Sequence, residues 1–262
     1  DRLMSRGLGD VYKRQERVSF GLAGTFDNGF DWNFDMTRSA EDNYGRQPDT
    51  GTSKLAAAID GRGGPSGNET FDLFDPTANS QTLRDWLRSD QETWTNVVLS
   101  VVDFVMSGEV GGIDLAAGAQ QRREKYDITR SPNSIVEFDA AGNLTKPADM
   151  IFLGGGTESS ASRTTNAIFL EASTDLSENL EIKGAVRYED LENDSNVDPK
   201  LSLRYQASDE VILRASVSTS YREPSLSQLY TSGVGLQGIQ DYNPDGSAKG
   251  GTAFIRIAQD GN

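Results

Sequence analysis

The side chains able to do chemistry set the first limits. The 262 residues include 25 Lys+Arg and 40 Asp+Glu but no His and no Cys. A Ser-His-Asp triad, a thiolate nucleophile, an imidazole metal site and a disulfide framework are therefore excluded. Carboxylate, lysine or tyrosine chemistry and an oxygen-ligated metal remain. Paired carboxylates would suit glycoside hydrolysis, yet the acids are spread along the chain and no pair stands above that background. Gly233, Gly235 and Gly238 have the spacing of a dinucleotide fingerprint, but a polar 241–246 run containing Pro244 follows where a helix should begin. Asp241, Asn243, Asp245 and Gly246 match the start of a calcium loop, with Thr252 where the bidentate glutamate belongs, so a solvated turn competes with a weak cation site. Asn68-Glu69-Thr70 has the form of a glycosylation sequon. The expectation is a chain without enzymatic activity and without a cofactor.

Charge narrows the partners. A net charge of −15 and a pI of about 4.4 argue against nucleic acid, because phosphate neutralisation needs a basic face. Hydrophobic content is 35% and mean hydropathy −0.54, low for a chain with a large core. The 11 Phe, 8 Tyr and 3 Trp are nevertheless too many for a disordered polyacid.

The elements that would position any site read as strands. In 30–37, Phe30, Trp32, Phe34 and Met36 alternate with Asp31, Asn33, Asp35 and Thr37, a period of two. Val18, Phe20, Leu22 and Phe26 do the same upstream, and Asp27-Asn28-Gly29 has hairpin-turn chemistry. The pattern recurs in 93–106 with 110–124, in 163–174 with 180–191, and in 200–206 with 211–221, giving eight strands in four hairpins. Turns within hairpins are short. The connectors 39–92 and 125–162 and the stretch after 222 are long and polar, while 192–197 is shorter. Short turns thus fall at one end of the sheet and long loops at the other. Residues 82–89 could form a short helix within the first long loop.

A strand with one polar face fits a soluble sandwich or a membrane barrel. Most segments run to about ten residues, nearer the 9 to 11 of transmembrane strands than the 5 to 6 of soluble ones. Long loops at one end also favour a barrel. The most apolar run, 97–106, carries Asp103 and is too short for a membrane helix. Phe26, Phe30, Trp94, Tyr126, Tyr188 and Tyr221 near strand ends suit an interfacial girdle and equally suit ordinary core positions. In the barrel reading Glu181, Arg187, Glu189, Arg204, Arg214 and Arg222 form a polar wall facing the lumen. Outer-membrane lipid is then the partner of the other face.

Particular residues also carry a family resemblance. Asp198-Pro199-Lys200-Leu201-Ser202-Leu203-Arg204-Tyr205, then Leu213-Arg214-Ala215-Ser216-Val217-Ser218-Thr219-Ser220-Tyr221-Arg222-Glu223-Pro224, closely resembles the barrel signature of TonB-dependent outer-membrane receptors. Ser107-Gly108-Glu109, Leu115-Ala116-Ala117-Gly118-Ala119 with Arg122-Arg123-Glu124, and Ala185-Val186-Arg187-Tyr188-Glu189 are similar to further strands of that family. One departure is Glu223, where alanine is usual. The resemblance implies an all-β, antiparallel, up-and-down transmembrane barrel of about 22 strands with an internal plug, of which eight are expected here. It further implies localisation in the cell outer membrane, energy-coupled uptake of a scarce nutrient such as a siderophore, cobalamin or glycan at external loops, and contact with the TonB complex through a plug domain. The expected organisation is an unstructured segment at 1–15, read as a translated adapter artefact, followed by a partial barrel domain at 16–262 lacking the plug and closing strands. The alternative is a complete small eight-stranded barrel serving as an anchor or adhesin. The two differ in whether the first strand, near Val18, pairs with the last, near Val217.

Overall fold

A computed structural model describes residues 11–192 and 194–259. Eight long strands form one antiparallel sheet: β1 (Val11–Thr25), β2 (Asp31–Gln47), β3 (Gln91–Val110), β4 (Ile113–Arg130), β7 (Ser159–Ser177), β8 (Leu180–Asp190), β9 (Ser195–Gln206) and β10 (Ile212–Ser218). Short pairs β5 (Glu137–Phe138) with β6 (Leu144–Lys146), and β11 (Gly233–Tyr242) with β12 (Ala248–Gln259), lie outside it. Helices α1 (Thr52–Ile59), α2 (Gln81–Leu87) and α3 (Leu226–Tyr230) are brief.

Strand order in the sheet is β1-β2-β3-β4-β7-β8-β9-β10, so every neighbour is the next long strand in sequence. This is an up-and-down arrangement with β1 and β10 as its two edges. The seam that a complete eight-stranded barrel requires is open. Val11–Gln15 are also strand, although the sequence reading expects 1–15 to be unstructured. Their ladder partners are Gly45 to Glu41 of the longer β2, and Lys13 Nζ lies 2.9 Å from Glu41. Residues 1–10 lie outside the described residues.

Register assigns every side chain to a face. The ladder joins Leu22, Phe34, Phe104, Ala119, Ile168, Tyr188 and Val197 across seven strands on one face. Immediately beside them, Ala23, Asn33, Val105, Gly118, Phe169, Arg187 and Asp198 share the other. The first face is apolar and open: Val18 is 71% exposed, Ile168 60% and Val217 69%. Among the described residues the buried hydrophobic clusters lie in the long loops rather than between layers of sheet. A soluble sandwich would bury this face.

Curvature makes the second face concave. Arg187 on β8 donates to Gln120 Oε1 on β4 at 2.9 Å, reaching past the intervening β7. A bend toward this face shortens the span that these two long side chains bridge. Phe169 also lies on this side and packs over Gly118, where a Cβ would stand 2.5 Å from the ring. No helix among the described residues is long and apolar enough to cross a membrane.

The helix expected at 82–89 is α2, capped by Ser80 Oγ accepting from Leu83 N at 2.9 Å. The stretch after 222, read as loop, contains α3 and the β11–β12 hairpin.

Candidate functional site

The inner wall separates the expected polar residues into groups. Glu181 on β8, Arg204 on β9 and Arg214 on β10 occupy one row, with Arg204 Nη1 3.9 Å from Glu181 Oε2. With Lys183 and Ser202 they line a shallow pocket of about 290 Å³ near the short-turn end. Arg187 and Glu189 form a second group, paired at 2.8 Å. Arg222 stands apart, exposed and beyond the end of β10, so it does not belong to the strand wall.

A third group was not singled out from sequence. Arg163 on β7 is 7% exposed. Its Nε donates to Glu124 Oε2 at 2.5 Å, and its Nη1 lies 2.9 Å from Glu223 and donates to Pro224 O at 2.7 Å. This clasp holds the segment after β10 against the inner face. α3 follows, with Ser225 and Gln228 forming a capping box and Leu226 buried. Thr231 Oγ1 then donates to Tyr126 at 3.3 Å, and Thr157 N to Ser232 O at 3.0 Å. Opposite charge at facing inward positions was the available signal, but it becomes readable only once the β4–β7 register is known.

At the long-loop end the connectors fold into one cap. In connector 48–90, Ala58, Leu83 and Leu87 make a small core with Leu55, Phe71 and Trp86. In connector 131–158, Val136, Ala148 and Met150 pack with Val234. Two carboxylates join them. Asp49, 8% exposed, accepts from Thr50 N at 2.6 Å, Leu153 N at 2.6 Å and Phe152 N at 3.0 Å. Asp149 accepts from Ser53 N at 2.7 Å and Ser53 Oγ at 2.5 Å. Gly155 requires its residue type, because φ is +72° and a Cβ would lie 2.4 Å from Ser134 O. Phe74 projects fully exposed from a tip that Asp72 fixes by accepting from Phe74 N at 2.8 Å and Asp75 N at 2.9 Å.

Electrostatics reinforce the cap. Burial alone would raise the Asp90 carboxyl, but hydrogen bonds and charge from Arg88 and Arg46 outweigh it and hold it below the ordinary aspartate range. The backbone amides of Asp75 and Phe74 hold Asp72 low, and Asn143 does the same for Asp139. A carboxyl depressed in the folded state stabilises it fully above the unfolded pKa, near 4, and loses that contribution as pH falls through the folded value. Amide exchange in 48–90 and 131–158, corrected for intrinsic rates, is therefore expected to stay constant from neutrality to about pH 5 and to rise below about pH 4. Hydrogen–deuterium exchange at stepped pH checks this.

The arrangement presents charged and polar side chains suited to binding. Among the described residues no group of three or more His, Cys, Asp or Glu is placed to hold a metal. Asp241 pairs with Lys249 at 2.7 Å and Asp245 accepts from Ser247 N at 2.9 Å, the chemistry of a turn. Gly233, Gly235 and Gly238 lie in β11 rather than before a helix. Asn68 lies in the first long loop.

Comparison with known proteins adds an independent line. A family model described as TonB dependent receptor-like, beta-barrel, matches residues 3–255. The ferric enterobactin receptor of Pseudomonas aeruginosa superposes with a TM-score of 0.54 at 15% identity, covering 91% of this chain and 29% of that one. This chain thus spans less than a third of that receptor's length. A porin matches with a TM-score of 0.23 at 12% identity over 77% of this chain and 85% of its own, too distant to carry an argument. No curated protein sequence matches.

Proposed function

Because the chain belongs to the TonB-dependent receptor family through its β-barrel domain, we propose that it forms part of the wall and external cap of an outer-membrane receptor for energy-coupled uptake of a small, scarce nutrient. The observation that carries this reading is the belt of exposed apolar residues on one face of all eight strands, opposite a concave polar face. Such a belt needs lipid. The open edges of β1 and β10 need further strands, since unpaired strand edges are not tolerated within hydrocarbon. A plug domain would occupy the concave side, meeting Arg187, Arg204 and Arg214, and TonB would act through it. The interlocked loops, with Phe74 projecting from a tip hydrogen-bonded to Asp72, are suited to first capture of ligand.

Expression of the complete gene in a Gram-negative host, with and without TonB, tests this. Accumulation of a ligand that depends on both the gene and TonB is expected. Equal accumulation in the TonB-deficient host would overturn the proposal.

A further inference from the structure

The outward face changes character at one register row on the long-loop side of the apolar belt. There the ladder places Arg38 on β2, Ser100 on β3, Arg123 on β4 and Thr164 on β7 side by side. One step toward the short-turn end, the same strands carry Met36 and Val102, then Gln121 and Asn166. Strand spacing of about 4.8 Å puts the two arginines about 10 Å apart at the backbone, within converging reach of their side chains. Both are exposed. Arg38 Nη1 donates to Ser100 Oγ at 3.4 Å, and Arg123 makes no ion pair among the described residues.

Surrounding acids do not neutralise them, although the chain carries −15 overall. The outward carboxylates above this row are already engaged: Glu16 with Arg14, Asp42 with Asn96 at 2.7 Å, and Asp127 with Lys125 at 2.7 Å. Two guanidinium groups without a carboxylate, flanking a hydroxyl at the edge of an apolar belt, match one chemistry. Their aliphatic stems can lie along the belt while the charged heads reach the headgroup layer, where planar donor forks bind phosphate.

We propose that the Arg38–Ser100–Arg123 row is a binding site for the phosphate of an anionic lipid in the leaflet at the long-loop end. The proposal rests on the strands crossing a bilayer, and its test separates the two claims. The complete receptor is reconstituted in phosphatidylcholine vesicles, and its association with spin-labelled phosphatidylglycerol is compared with that of spin-labelled phosphatidylcholine. A preference for phosphatidylglycerol is expected, falling about fivefold for each of Arg38→Gln and Arg123→Gln. It should also weaken at high salt and survive Arg62→Gln in the first long loop. Insertion with no preference, a preference that survives the double substitution, or one that Arg62→Gln also removes would overturn the lipid site. Failure of the receptor to insert into vesicles would overturn the membrane reading itself.

Discussion

Replacing Arg163 by alanine is expected to destabilise the wall and its inward segment by about 3 to 5 kcal/mol, because two carboxylates that converge on a buried guanidinium lose their partner. Arg163 is 7% exposed and holds Glu124, Glu223 and the carbonyl of Pro224 together. Glu223 is 15% exposed and Glu124 28%, so water screens the acids left behind only in part, and the discount for exposed pairs is reduced. Arg163→Lys should recover only part of the loss, since one ammonium cannot reproduce fixed donation to both Glu124 and the Pro224 carbonyl while also lying beside Glu223. The combination Arg163→Met, Glu124→Gln and Glu223→Gln should recover more, because no charge then remains buried. Denaturant unfolding of the complete receptor in detergent measures these values, and exchange at 219–232 reports whether the segment is released. A loss under about 1 kcal/mol for Arg163→Ala would show that the clasp does not hold the segment.

Asp49→Ala is the second large effect and is expected to be local. The carboxylate accepts three backbone amides at the junction of the two connectors. Charge-assisted bonds of this kind are worth about 1.5 kcal/mol or more each, and amides left without an acceptor add to the cost. Loss of about 3 kcal/mol from the cap, read as about a hundredfold faster exchange at Phe152 and Leu153, follows. Asp49→Asn, which keeps one acceptor oxygen, should cost about 1 kcal/mol. Barrel unfolding should be unchanged in both, because Asp49 lies beyond the end of β2. If ligand capture depends on a preformed cap, affinity should fall with exchange protection. Unchanged exchange at Phe152 and Leu153 would show that the connectors are held by other contacts.

The strands were legible in sequence only where an apolar face opposes a polar one. Phe30 to Met36, Leu180 to Tyr188 and Leu201 to Tyr205 alternate in step with the two faces that register assigns. Above the belt that contrast vanishes, yet pairing continues. Arg38 to Gln47 of β2 and Ser159 to Ser162 of β7 are ladder residues with little alternation, which is why both strands outrun their sequence boundaries. β3 shows a different limit: Val97, Leu99, Val101 and Val105 point inward, so its apolar run marks a strand without telling its faces apart. In the loops, α2 is readable from its Ser80 cap, whereas α1 follows Gly51, which makes no side-chain cap. The role of Asp49 depends on amides 103 and 104 residues away in sequence. Of the residues expected on the inner wall, Glu181, Arg187, Glu189, Arg204 and Arg214 share one face by register, the part that alternation within a strand makes readable. Arg222 lies past the end of β10, where strand alternation no longer assigns a face.

The central claim is that the apolar face lies against lipid and the polar face against the lumen. The sequence has no cysteine, so each introduced one is a unique labelling site. Single nitroxide labels at Ile168, Val186 and Leu203 would test one face, and labels at Ala167, Arg187 and Arg204 the other, in the complete receptor in bilayers. Oxygen, which concentrates in hydrocarbon, is predicted to relax the first three labels strongly and the second three weakly. Equal relaxation at both sets, or the reverse order, would contradict the account.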